Sequence, residues 1–215
     1  MNKMMAQLAV TSSGAVYNTS GTLGNSVGGS NNAVLVTGAG SIWSNSSTLV
    51  VGNASWSNQI TIANGGKVYN LAGTIGSSSG ADSNTVFVSG SGSVWRTTGN
   101  LIVNTTGRTG NGLVMSTGGV AAVSGNVTIN AGGYVTNYVA GVAGGLDMAS
   151  GKTLTLTGKM GIVFAGAPTQ LGPYWGLRWA GSNITALATL TNSGALTISD
   201  GPGLLSGYWR NKARI

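Results

Sequence analysis

The stretch Asn84 to Trp95, NTVFVSGSGSVW, restates Asn32 to Trp43, NAVLVTGAGSIW. The same grammar opens at Asn58, NQITIANGGKVY, and returns more weakly at Asn111, NGLVMSTGGVAA. Each copy gives an asparagine, a short alternating apolar run, a glycine-bearing corner and a second apolar pair. The opening asparagines Asn32, Asn58, Asn84, Asn111 and Asn137 follow one another at intervals of 26, 26, 27 and 26 residues. A fixed period in this range marks a stacked repeat, in which each unit buries its apolar side only against its neighbours.

The composition agrees with short strands and tight corners. Gly fills 38 of 215 positions, against a usual share of about 7%. Glycine costs a helix about 1 kcal/mol per residue, so long helices are excluded. A Gly/Ser/Asn-rich chain can also be a disordered linker. Disorder, however, gives no reason to hold apolar residues in phase over a hundred residues.

Within a coil the strands are read as Val34 to Val36, Ser41 to Trp43 and Leu49 to Val51, with corners at GAG, SNSS and GNASWS. A shift of 52 residues places Tyr17 on Tyr69 and Trp43 on Trp95, so the full repeat is a pair of coils. Corresponding strands run in the same direction and should pair in parallel register, about 4.8 Å apart. The predicted fold is all-β: a three-sided parallel β-helix with coils of about 26 residues, right-handed because parallel crossovers are. The chain is read as one solenoid over 1–215, with regular coils over 7–136 and looser coils and a cap over 137–215. Strands are expected at Leu154 to Leu156 and Leu196 to Ile198.

Two sets of residues should stack along the axis. Asn32, Asn58, Asn84, Asn111 and Asn137 are expected to form a corner ladder, each amide donating to one neighbour and accepting from the other. Tyr17, Trp43, Tyr69 and Trp95 are expected to form an aromatic ladder on one face. Outward rings would be a platform for sugar or protein, which follows if Val16, Ile42, Val68 and Val94 point inward; inward rings would fill the core. A second aromatic group, Tyr174, Trp175, Arg178 and Trp179, either holds a glycan or caps the solenoid.

The phrase TGAGSIWSNSSTLVVGNASWSNQITIANGGKVY resembles the repeat of type V secretion (autotransporter) passenger proteins and of PEP-CTERM-associated bacterial surface proteins. Matching positions are Val36, Gly38, Gly40, Ser41, Trp43, Leu49, Val51, Gly52, Ile60, Ile62, Gly65, Gly66 and Val68. A second pass runs through Val88, Gly90, Gly92, Ser93, Trp95, Leu101, Val103, Leu113, Gly118 and Gly119, and the match covers roughly 8–136. The resemblance implies a secreted or cell-surface shaft and brings no catalytic motif. The sequence shows no signal peptide, membrane barrel or sorting tail, as a segment cut from a longer repeat protein would not.

The residue inventory limits chemistry. Cys, His and Glu are absent, and Asp82, Asp147 and Asp200 are the only acids. No metal site or cofactor motif can be assembled, and no triad or phosphate loop. The net charge of +7 is scattered except for three cations in the last six residues, without the concentrated face of a nucleic-acid binder. No apolar run is long enough to span a membrane. The reading is a structural or adhesive segment binding polysaccharide, surface glycan or protein, with self-association through the coil ends as a further possibility. The alternative is a small polysaccharide hydrolase or lyase using Asp147 and Asp200, with Lys152, Lys159 or Arg178 as base.

Overall fold

The computed structural model describes residues 6–105, 107–139, 144–149, 152–156, 159–164, 175–179, 183–186, 190–192, 204–206 and 209–211. Every regular element among them is a strand. The first four coils are β1 (Gln7–Val10), β2 (Ala15–Asn18), β3 (Gly21–Leu23); β4 (Ala33–Thr37), β5 (Ile42–Asn45), β6 (Thr48–Val51); β7 (Gln59–Ala63), β8 (Lys67–Asn70), β9 (Ala72–Ile75); β10 (Thr85–Ser89), β11 (Val94–Thr97), β12 (Leu101–Val103). The next three are β13 (Gly112–Ser116), β14 (Val120–Val123), β15 (Val127–Ile129); β16 (Tyr134–Val139), β17 (Gly144–Met148), β18 (Thr153–Leu156); β19 (Lys159–Phe164), β20 (Trp175–Trp179), β21 (Asn183–Ala186); the remaining strands are β22 (Leu190–Asn192), β23 (Leu204–Ser206) and β24 (Trp209–Asn211).

Each coil through β21 gives one strand to each of three sheets. The first sheet runs β1-β4-β7-β10-β13-β16-β19-β22-β24, the second runs β2 to β20, and the third runs β3 to β23. All pairings are parallel. This is the β-solenoid expected from the period. The expected strand at Leu196 to Ile198 lies outside the described residues. Coil length varies late in the chain: Met160 pairs with Leu190, thirty residues on, and Leu190 with Trp209, nineteen on.

Alternation drives the packing. In β7 and β10 the residues Ile60, Ile62, Val86 and Val88 are fully buried while those between them are half-buried. Parallel register puts Val10, Val36, Ile62, Val88 and Met115 in one inward column. Each such side chain taken from water contributes about 1.5–3 kcal/mol.

The two-coil repeat has a packing cause. Trp43 and Trp95 point inward, 4% and 1% exposed, and each lies against a glycine of the preceding coil's third-sheet strand. A Cβ on Gly21 would stand 2.7 Å from Cζ2 of Trp43, and one on Gly73 would stand 2.9 Å from Cζ2 of Trp95. The indole N–H groups then donate to Asn18 Oδ1 at 2.8 Å and to Asn70 Oδ1 at 2.6 Å. One coil gives up a side chain, and the next fills the gap with the largest one available.

The corner before the first sheet carries the asparagine ladder. The Asn58 backbone N–H and Nδ2 both donate to Asn84 Oδ1 at 2.9 Å, and Asn84 N–H and Nδ2 donate to Asn111 Oδ1 at 2.9 and 3.0 Å. Asn32 donates to Asn58 in the same way. Asn137 does not belong to this ladder. It lies in β16 opposite Met115 and is buried in a strand column; the 26-residue step from Asn111 overshoots because Tyr134 pairs with Gly112 only 22 residues earlier.

The ladder ends by an exchange of residues. Gly24, Gly52 and Gly76 leave the third sheet with φ of 66°, 77° and 73°, and a Cβ on any of them would meet the amide of Asn58, Asn84 or Asn111. At the next equivalent position stands Asn104, φ 65°, and the corner that should supply its overlying asparagine has Gly133 instead. Asn tolerates this left-handed conformation better than most residues. Its side chain accepts from Asn111 Nδ2 at 2.6 Å and donates to the carbonyls of Arg108 and Ala131 at 2.7 and 2.6 Å.

Candidate functional site

The second sheet differs from the others in what it presents to solvent. No strand residue of the third sheet is charged, nor any of the first sheet as far as β16. The second sheet carries Lys67, Arg96, Asp147 and Arg178 in its strands. Register sets Tyr17, Ser44, Tyr69, Arg96, Ala122 and Asp147 in one outward column, one per coil. A parallel outward column holds Ile42, Lys67, Val94 and Val120.

This arrangement corrects the aromatic ladder. Tyr17, Trp43, Tyr69 and Trp95 do not stack together: Trp43 pairs with Val16 and Val68, while Tyr69 pairs with Ser44 and Arg96. The tryptophans are core residues and do not reach a ligand on the outer face. Tyr17 is 72% exposed and Tyr69 half-buried on the outside, two rungs apart. The physical reason is one extra residue in the first corner of the tryptophan coils. From Val36 to Trp43 is seven positions, whereas from Ile62 to Val68, at the same register, is six. One step along a strand exchanges inside for outside. For the same reason Val16 and Val68 face inward as expected, but Ile42 and Val94 do not.

The two described carboxylates, Asp82 and Asp147, do not gather. Asp82 sits in the corner before β10, where Oδ1 accepts from Thr109 N–H at 2.8 Å and Oδ2 lies 3.6 Å from Arg108. Asp147 is on the second sheet, and Asp200 lies outside the described residues, so their separation is not part of the described structure. Lys152 is half-buried just before β18, and Lys159 begins β19 in the first sheet. Arg178 pairs in register with Asp147. Of the C-terminal aromatics, Trp175 and Trp179 belong to β20, at the register positions of Gly144 and Met148, and Tyr174 lies outside the described residues. No group of three or more acid, His or Cys residues that could hold a metal occurs among the described residues.

Sequence reading missed a shallow cleft of about 160 Å3 on this face, lined by Arg96, Ala122, Val123, Ser124, Asp147 and Ala149. It exists because Ala122 is short and its column neighbours are long. The signal was present in the sequence as an arginine, an alanine and an aspartate 26 and 25 residues apart. A larger hollow of about 300 Å3 opens at the first coil, bordered by Leu8, Leu23, Val34, Asn32 and Trp43. Comparisons of the chain with models of known protein families, with curated proteins and with solved structures find no match.

Proposed function

We propose that this chain is a structural or adhesive segment of a secreted or cell-surface bacterial protein, binding glycan or protein along an elongated β-solenoid face. The observation that supports this reading is the outer face of the second sheet. Two tyrosines, two cations and a carboxylate are displayed there at rung spacing on a paired, rigid sheet, while the other faces as far as β16 are uncharged. Tyrosine gives an apolar ring with a polar tip, a combination that suits polyhydroxylated surfaces. The resemblance of the 8–136 repeat to autotransporter passenger and PEP-CTERM-associated surface proteins points the same way.

The binding role is tested by presenting the chain to an array of neutral and acidic polysaccharides and assaying the same mixtures for released reducing ends. Binding that is lost in the Tyr17→Ala/Tyr69→Ala variant, without turnover, is the expected result. Turnover that disappears on Asp147→Asn would overturn the binding reading in favour of a carbohydrate-active enzyme.

A further inference from the structure

We infer that the cleft over Ala122 is a subsite for one ring of an extended, neutral pyranose chain, with Arg96 and Asp147 holding its hydroxyls and Tyr69 carrying the next ring. The inference rests on the glycan-binding reading above and gives it a place and a ligand class.

Arg96 and Asp147 stand two rungs apart in one column with Ala122 between them. At about 4.8 Å per rung, their backbones are separated by about 10 Å, and the two side chains form neither an ion pair nor a hydrogen bond with each other or with any residue of 6–105 or 107–138. Opposite charges held this far apart across a gap leave a donor on one wall and an acceptor on the other. The gap is shallow and floored by Ala122 and its strand neighbour Val123, with the exposed Ser124 hydroxyl at the rim. Beside it, Val94 and Val120 continue the outer surface as short, half-buried side chains, which keeps the floor low.

Ligand class follows from this donor set. A sugar hydroxyl can accept from the guanidinium and a neighbouring one can donate to the carboxylate, and hydrogen bonds to ionised groups are the stronger kind. An anionic ring would meet Asp147, and a cation would meet Arg96. A neutral polyol meets neither penalty. An added peptide strand is disfavoured, because the backbone of β11, β14 and β17 is already paired on both sides and offers no open edge.

The column continues in step with a chain of sugars. Tyr69 is the register neighbour of Arg96, and Tyr17 lies two rungs further with Ser44 between. An extended glycan lying along the axis would therefore cross Asp147, the Ala122 floor, Arg96, Tyr69 and Tyr17 in turn, with a ring face available to each tyrosine. Arg178 occupies the register position beyond Asp147.

The test is isothermal titration of the full chain with cellopentaose and, separately, with pentagalacturonate, on the parent and on three variants. Arg96→Ala removes the donor and Ala122→Leu fills the cleft from the outside. Thr61→Ala, on the outer face of the first sheet, is the control. Circular dichroism and thermal melting show that each variant is folded. The expected result is cellopentaose binding by the parent, weakened about tenfold or more by Arg96→Ala and by Ala122→Leu, and unchanged by Thr61→Ala. Cellopentaose binding equal in all four proteins would overturn the site while leaving the glycan reading intact. Binding of pentagalacturonate alone would overturn the ligand class. If neither oligosaccharide binds and the wider polysaccharide array is also blank, the subsite and the glycan reading fall together.

Discussion

Ser41 and Ser93 occupy the same corner of the two tryptophan coils, and both are fully buried, yet they differ in what they contribute. Ser93 Oγ donates to Ser89 O at 2.7 Å and accepts from Gly65 N–H at 3.0 Å. Ser41 Oγ has no hydrogen-bond partner among the described residues. A buried hydroxyl without a hydrogen bond carries an uncompensated desolvation cost. Ser93→Ala is therefore expected to lower the unfolding free energy by about 1–2 kcal/mol, while Ser41→Ala leaves it unchanged or raises it, as measured by urea denaturation. Asn84 is the stronger case, because its oxygen accepts twice from Asn58 and its amide donates to Asn111 and to Ser55 O. Asn84→Ala leaves several buried partners unmet and is expected to cost about 3 kcal/mol or more.

Between neighbouring coils, the paired features are the glycine that receives a tryptophan and the asparagine that replaces a glycine. Trp95→Ala empties a fully buried site and is expected to destabilise by about 3–5 kcal/mol, visible as a lower thermal midpoint. Asn104 and Gly133 provide a double-mutant cycle. Gly133→Asn alone collides with Asn104, and Asn104→Gly alone deprives Asn111 of an acceptor. Together they recreate the pattern of Gly76 with Asn111 and remove the 2.5 Å approach to Asn104 Cβ, leaving the Val103 and Asn130 carbonyls at 3.1 and 3.2 Å to give by a few tenths of an ångström, and Gly133 is not in a left-handed conformation. The pair is expected to be more stable than the sum of the singles by about 1–2 kcal/mol. The existence of these elements was legible in the sequence, because apolar alternation survives every copy. Their facing was legible only in part. The 26-residue step aligned Tyr17 with Trp43, but a coil can add a residue at one corner and recover it at another, as Val36 to Trp43 does against Ile62 to Val68. Total length is then conserved while one strand is turned over. Asn137 was misplaced for a different reason: its coil is reached through a path from Gly112 to Tyr134 that is shortened to 22 residues without compensation.

Over the whole solenoid, each coil touches only its neighbours, so stability accumulates coil by coil and each face is a linear array. That is why period and composition sufficed for the architecture, whereas the candidate site depended on register. A cleft made by Arg96, Ala122 and Asp147 requires three coils to be aligned without error, and the sequence spacing alone left each of them one residue from facing inward. Everything inferred about the outer face of the second sheet follows from that alignment. It is tested most directly by engineered disulfides, since the chain contains no cysteine of its own. Neighbouring rungs bring paired Cα atoms to about 4.8 Å, within the range a disulfide spans. Ser44→Cys combined with Tyr69→Cys should oxidise to an intramolecular crosslink, seen by intact mass before and after thiol blocking. Trp43→Cys combined with Tyr69→Cys, the pair that a strict 26-residue step would align, should stay reduced because the two positions face opposite sides of the sheet. A crosslink in the second pair and none in the first would contradict the register, and with it the separation of core tryptophans from surface tyrosines.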